Sequence, residues 1–234
     1  MTPAAVLLDL DDTLVDTPTA MRISVVAALE GVTRELPESV KRAVADRWIA
    51  DPARHFYRYE VGEIGFTDQR RARFAEVAEI AGLDPEPAMY AAWEAGYVAG
   101  LTEWVRAFDD VLPFLNGLGR TPVAVVTNVA TDLQRAKLQT AGLAERLPVV
   151  VGVDLAGSPK PAAAPFHYAC RLLGVDPAEA VHIGDSLHAD VVGACAAGLR
   201  AIWLDRRGAG RDAVLPAGAA RVNSLTEASK LVAR

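Results

Sequence analysis

Near the amino terminus, the run Val6-Leu7-Leu8-Asp9-Leu10-Asp11-Asp12-Thr13-Leu14 sets carboxylates two residues apart where a short apolar segment gives out. A segment of that kind makes a buried parallel strand. In an open α/β sheet the ligand crevice lies outside the carboxyl ends of the strands, and side chains at i and i+2 share a face. Asp9 and Asp11 can therefore address one substrate atom. By itself an Asp-x-Asp at a strand end is more often a turn or a helix cap, so its meaning depends on what accompanies it.

Three later segments do. Val123-Ala124-Val125-Val126-Thr127-Asn128 delivers a hydroxyl and an amide just before a helix, where backbone N–H groups hold anions. Gly157-Ser158-Pro159-Lys160-Pro161 sets a lysine between two prolines that restrict its backbone. Val181-His182-Ile183-Gly184-Asp185-Ser186-Leu187-His188-Ala189-Asp190 ends a strand in an acid and repeats the acid five positions on. Asp9, Asp11 and Asp185 would converge as hard oxygen ligands for Mg²⁺, which takes one or two carboxylates with water and phosphate. His182 and His188 read as packing or surface histidines and Trp203 as core.

The elements that must position these residues follow from the apolar pattern. Segments 5–10, 123–127, 149–153, 181–183 and 201–204 are short, apolar and β-branched. Helical patterns at 132–141, 163–173 and 189–197 separate the later ones, each stopped by a glycine. That alternation specifies an α/β fold, a parallel sheet with crossover helices. Roughly 100 residues part the first strand from the second, where a crossover needs about a dozen. The insertion is helical: Thr17-Pro18 starts a helix carrying Ile23, Val26 and Leu29 at helical spacing, and further helices are expected over 38–49, 67–81 and 86–101. A helical domain on the loop leaving the first strand stands where a lid belongs. The expected division is a core of residues 1–16 and 105–234 and a helical domain of residues 17–104.

The helical segment carries Arg54-His55-Phe56-Tyr57-Arg58-Tyr59 and then Arg70, Arg71 and Arg73. A solvated face is the default for such charges. Arg54, Tyr57, Arg70 and Arg71 are nonetheless candidates to meet an anionic leaving group, since arginine forks suit phosphate and carboxylate. For a flavin or nucleotide, Phe56, Tyr57 or Trp93 would supply the stacking surface. Residues 208–213 fit a Gly-x-Gly-x-x-Ala dinucleotide pattern, but Pro216 cuts off the helix that should follow.

Composition narrows the partners. The 234 residues are 51% hydrophobic and 23% charged with a net charge of -6, which argues against nucleic acid or an anionic membrane and for a small molecule. Two cysteines are no disulfide framework in a chain this long, and no run of about 18 apolar residues appears. A soluble, cytoplasmic protein is expected. Oligomeric state is not readable, with a monomer as the working expectation.

Taken together, Asp9-x-Asp11-x-Thr13, Thr127, Lys160 and Gly184-Asp185-x-x-x-x-Asp190 resemble the four motifs of the haloacid dehalogenase superfamily, and the insertion resembles the C1 cap of its phosphoglycolate-phosphatase-like branch. The resemblance implies a Rossmann-like core with a helical cap and a Mg²⁺-dependent phosphatase working through an aspartyl-phosphate on a small phosphorylated metabolite. It implies Asp9 as nucleophile and Asp11 as general acid/base, kept protonated by acidic neighbours. Thr127, Asn128 and Lys160 would hold the phosphoryl group. Mg²⁺ would sit on Asp9, Asp185 and Asp11, the last through its backbone carbonyl, with Thr13 and Asp190 in support. A phosphomutase of the same family, the metal-free dehalogenase branch and a non-catalytic metabolite-binding protein are the alternatives. Three positions depart from the family pattern: Ala163 stands where proline is usual, with Pro165 two places on; Val129 and Asp12 stand where glycine is common.

Overall fold

A computed structural model describes residues 2–208, 210 and 212–233. The chain forms two compact units, Met1–Asp16 with Ala107–Arg234, and Thr17–Arg106. Among the described residues no helix is long and apolar enough to cross a membrane.

The Thr17–Arg106 unit is helical throughout: α1 (Thr17–Val32), α2 (Glu38–Ala50), α3 (His55–Glu60), α4 (Phe66–Ile80) and α5 (Pro87–Trp104). Tyr90, Trp93 and Tyr97 recur at helical spacing on α5 and so line one face. That face builds an aromatic core with Trp48 and Phe74. Trp93 stacks on Tyr97 with ring centroids 5.1 Å apart, and Trp48 Nε1 donates to the Tyr97 hydroxyl at 2.8 Å. Gly100 lets α1 and α5 approach: a Cβ there would lie 2.6 Å from Ser24 Oγ. Helix α3 was not anticipated. Its start is set by Asp51, whose carboxylate accepts from the backbone N–H groups of His55 and Phe56 at 3.1 and 2.9 Å, partners its orphan first turn requires.

The other unit is the expected parallel α/β sheet. Strands β1 (Ala5–Leu8), β2 (Val123–Val126), β3 (Val150–Val151), β4 (Ala180–Gly184), β5 (Arg200–Leu204) and β6 (Ala219–Val222) pair in the order β3-β2-β1-β4-β5-β6, every pair parallel. Between them run α6 (Val111–Gly117), α7 (Thr131–Thr140), α8 (Val153–Ala156), α9 (Ala163–Leu173) and α10 (Gly193–Ala196), and α11 (Leu225–Val232) follows β6. Strands β1 and β4 are buried along their whole length, β1 as an unbroken apolar run and β4 with His182 at its centre. The chain leaves β1 for β2 on one side and returns to β4 on the other. The topological switch point therefore falls at β1, where such sheets bind ligands.

Three local details differ from the sequence reading. The third strand is only two residues long, because α8 begins at Val153. The sixth strand was missed: Ala219-Ala220-Arg221-Val222 is a half-buried edge without an apolar run. The expected helix over 189–197 is broken in two. Leu187–Val192 makes a wide turn, in which Val191 N bonds Ser186 O at 3.2 Å, and α10 completes the segment. Pro165 falls in the first turn of α9, where a missing N–H costs nothing, and Phe166 keeps its buried register. Of the discounted run at 208–213, positions 209 and 211 lie outside the described residues.

Candidate functional site

Parallel pairing brings the four motifs to one rim of the sheet. Asp9 follows β1, Thr127 and Asn128 follow β2, Asp185 follows β4, and Asp9 N donates to Ile183 O at 2.9 Å. Lys160, only 2% exposed, reaches this rim from the loop between α8 and α9. Its ammonium donates to Asp9 Oδ1 at 2.7 Å, to Asp190 Oδ1 at 2.6 Å and to Val126 O at 2.7 Å. Three donors thus meet three acceptors, which fixes the nitrogen in space.

The side chain of Asn128 is occupied with that lysine. Its Oδ1 accepts from Lys160 N at 2.7 Å and its Nδ2 donates to Lys160 O at 3.0 Å. Asp190 is held as firmly. Oδ1 accepts from Lys160 and from His182 Nε2 at 2.9 Å, and Oδ2 accepts from Ser186 N at 2.9 Å. Gly184 is obligatory beside it, because any Cβ there would overlap the Asp190 carboxylate. The Trp203 indole, buried as expected, donates to the Asp185 carbonyl at 2.8 Å and so anchors the acid's backbone.

Carboxylate oxygens of Asp9, Asp185 and Asp190 all lie within 4.8 Å of one another. Burial, then the repulsion of Asp190 and Asp11, pushes the Asp9 carboxyl up to about 7 against the pull of Lys160. Burial and the charges of Asp9 and Asp190 raise Asp185 well above the carboxylate range. Asp190 goes the other way: burial would raise it, but Lys160 and His182 hold it below its ordinary value. His182, buried in β4, is lowered by desolvation despite its bond to Asp190. Two acids that resist ionising beside a third that is already satisfied make a set of hard oxygen donors short of positive charge. That chemistry fits Mg²⁺ on Asp9 and Asp185.

The Asp11 side chain is gripped by α7. Oδ1 accepts from Lys137 Nζ at 2.5 Å, and Oδ2 accepts from Gln134 Nε2 at 2.6 Å. The charge in contact with Asp11 is thus the Lys137 ammonium ion. Asp12 adopts φ of 62°, the left-handed region in which glycine is common and aspartate tolerated. Burial raises its carboxyl to about 6, against the opposing pull of Arg207. Thr13 is fully buried. Its carbonyl accepts from Arg206, which also grips Asp110 through both carboxylate oxygens at 2.9 and 3.0 Å.

In the helical unit, Arg54 lies over the Tyr57 ring at 4.1 Å and Arg71 over Tyr90 at 5.2 Å, both arginines being exposed. Arg70 is buried over Tyr97 and Phe66, with Nε and Nη1 lacking hydrogen-bond partners among the described residues. Trp93 is fully buried in the aromatic core. It offers no face for stacking on a ligand, and that expectation is withdrawn. Sequence reasoning missed Gln134 and Lys137, and it discounted His182. The available signal was the three-residue spacing of Gln134 and Lys137 on a helix whose other buried positions include Thr131, a polar face where an apolar stripe is usual.

Residues 3–198 match the family model of haloacid dehalogenase-like hydrolases. Among curated proteins, the chain is 29% identical over 203 residues to a ribulose-1,5-bisphosphate 5-phosphatase of Halopiger xanaduensis, covering 86% of this chain and 84% of that protein. Among solved structures, the magnesium-bound HAD-hydrolase YfnB of Bacillus subtilis superposes with a TM-score of 0.81 at 21% identity over the full length of both chains. A 2-haloacid dehalogenase of Pseudomonas syringae pv. Tomato gives a TM-score of 0.66 at 29% identity, over 100% of this chain and 99% of that one.

Proposed function

The chain belongs to the haloacid dehalogenase-like hydrolases, and from that premise we propose that it hydrolyses small phosphate monoesters with Mg²⁺ through an aspartyl-phosphate on Asp9. The observation that carries the reading is the Lys160 ammonium, bonded at once to Asp9 and Asp190 beside a carboxylate cluster that wants a cation. Its curated relative removes the 5-phosphate of a sugar bisphosphate, which supports a phosphate ester as the substrate.

Asp9, Asp185 and the Asp11 carbonyl would hold Mg²⁺, whose charge would offset the repulsion between a carboxylate and a phosphate dianion. Lys160 adds a fixed cation at the attacking oxygen, and the Thr127 hydroxyl donates to a phosphoryl oxygen. An oxygen of Asp9 then bonds to phosphorus as the ester P–O bond breaks, and the departing electron pair takes a proton from Asp11. In the second half, water attacks the same phosphorus and gives its proton to Asp11. The Asp9–phosphorus bond breaks, and inorganic phosphate leaves with Asp9 regenerated. Asn128 serves by holding the Lys160 backbone. Asp190, relayed to His182, holds the lysine's charge in place.

We assign the helical unit to choosing the leaving group, with Arg70 as its anion-seeking residue ahead of Arg54, Tyr57 and Arg71. Free thiols at Cys170 and Cys195 suit a reducing cytoplasm. Phosphate release from p-nitrophenyl phosphate should require Mg²⁺, stop with EDTA and fall at least about a thousandfold in Asp9→Asn, the order expected for a lost nucleophile. Turnover surviving both treatments would remove this mechanism. The dehalogenase resemblance gives a second reading, in which Asp9 displaces halide from a 2-haloacid. Chloride release from 2-chloropropionate tests it directly.

A further inference from the structure

Helix α7 turns an unusual face inward. Its buried residues are Thr131, Gln134, Lys137 and Leu138, so three of four are polar where a helix against a sheet ordinarily buries an apolar stripe. Lys137 is 3% exposed, and a buried ammonium ion is costly unless it is held by an opposite charge. That charge is Asp11, 126 residues away, at 2.5 Å. Gln134 sits three residues before Lys137 on the same face. Its Nε2 donates one N–H to Asp11 Oδ2 at 2.6 Å and the other to Thr127 Oγ1 at 2.7 Å. With Asp11 ionised, the opposite amide orientation would set Gln134 Oε1 against a carboxylate oxygen. Because Thr127 Oγ1 accepts from Gln134, its own proton is directed elsewhere, as a phosphate-binding hydroxyl requires.

We propose that Lys137 and Gln134 are a positioning pair, which locks the Asp11 carboxyl in the orientation for exchanging a proton with the leaving oxygen and ties it to the phosphate-binding Thr127. This rests on the phosphatase reading. Lys137 holds one Asp11 oxygen and Gln134 the other. The side chain therefore cannot rotate away between the two halves of the reaction. Holding an acid in near-attack geometry is where an enzyme gains most over the same group free in solution.

The test uses two esters that differ in their need for an acid. p-Nitrophenolate departs without a proton, whereas the alkoxide of β-glycerophosphate requires one. The ratio kcat/KM reports events only up to the first irreversible step, the transfer to Asp9, so slow release of phosphate does not blur the comparison. In Lys137→Met, kcat/KM should fall roughly tenfold or more further for β-glycerophosphate than for p-nitrophenyl phosphate, within the range a general acid contributes. In an Asp11→Asn background the same substitution should add no further loss, because the lysine acts through the acid. Gln134→Leu gives the same selective pattern and serves if Lys137→Met fails to fold by circular dichroism. Equal losses on both esters, or losses that add to those of Asp11→Asn, overturn the proposal and leave the hydrolase reading standing. A wild-type chain inert toward both esters removes that reading, and the pair's role with it.

Discussion

Each unit buries a cation, and Lys160 and Arg70 are held in contrasting ways. In the sheet unit, Lys160 bonds two carboxylates and a carbonyl, and Lys137 is paired with Asp11. In the helical unit, Arg70 is 7% exposed, yet it rests on the faces of Tyr97 and Phe66 with two nitrogens unpartnered among the described residues. Gln69 beside it in sequence is fully buried, with neither amide atom bonded among the described residues. Buried polar groups are nearly always satisfied, so each exception calls for a reason. Chemistry at the sheet rim needs atoms held to tenths of an ångström, and the three bonds on the Lys160 ammonium provide that.

The widest separation between the units should appear on removing one cation from each. Lys160→Met leaves Asp9 and Asp190 buried without their shared counter-charge, and breaking a buried pair from one side costs about 3–5 kcal/mol. Urea unfolding without metal should register a loss of that size, together with loss of phosphate release. A loss below roughly 1 kcal/mol would mean the acids had simply protonated or filled with water, and the contrast with the helical unit would collapse.

Next in size is the linkage of metal to pH. Asp9, raised to about 7, and Asp185, raised well above its usual range, bind protons in the folded state that the unfolded chain has already released. Folding stability of the metal-free protein should therefore fall as pH rises from 6.5 to 8. His182, lowered on folding, contributes the opposite slope only below about 6.5, the ordinary histidine value. Asp190 is lowered as well, so its contribution is complete above the ordinary aspartate value and flat across this window. Mg²⁺ should raise Tm more at pH 8 than at pH 6.5, since it binds the ionised acids. Calorimetry showing a Tm that rises with pH in EDTA would contradict the sign.

Much of the sheet rim was legible in the sequence because it is written locally. Apolar runs ending in Asp9, Thr127 and Asp185 state both the strand and the face, and glycines such as Gly174 state where the helices stop. What was not legible depends on tertiary pairing. Lys137 meets Asp11 across 126 residues, so the polar spacing on its helix hints at a buried face but not at its partner. His182 looked like a strand filler, yet its ring nitrogen reaches an acid eight residues on only because the chain doubles back through the wide turn at Leu187–Val192. The helical unit hid more still, since which aromatic residues pack inward is settled by how α2, α4 and α5 meet. Trp93 and Tyr57 look equally available in the sequence, and only Tyr57 is partly exposed.

The smallest expected effect belongs to Arg70→Met, and it sharpens the comparison most. Loss of the contacts to Tyr97 and Phe66 costs on the order of 1 kcal/mol, while removal of a buried, half-satisfied guanidinium returns a similar amount. Unfolding free energy should therefore stay within about 1 kcal/mol of wild type, against the several lost at Lys160. If its unpartnered donors serve recognition, KM for a sugar bisphosphate should rise several-fold in this variant while that for p-nitrophenyl phosphate stays put. A variant that loses as much stability as Lys160→Met, with both KM values unchanged, would make Arg70 a structural cation after all, and the two units would then bury charge by the same rule.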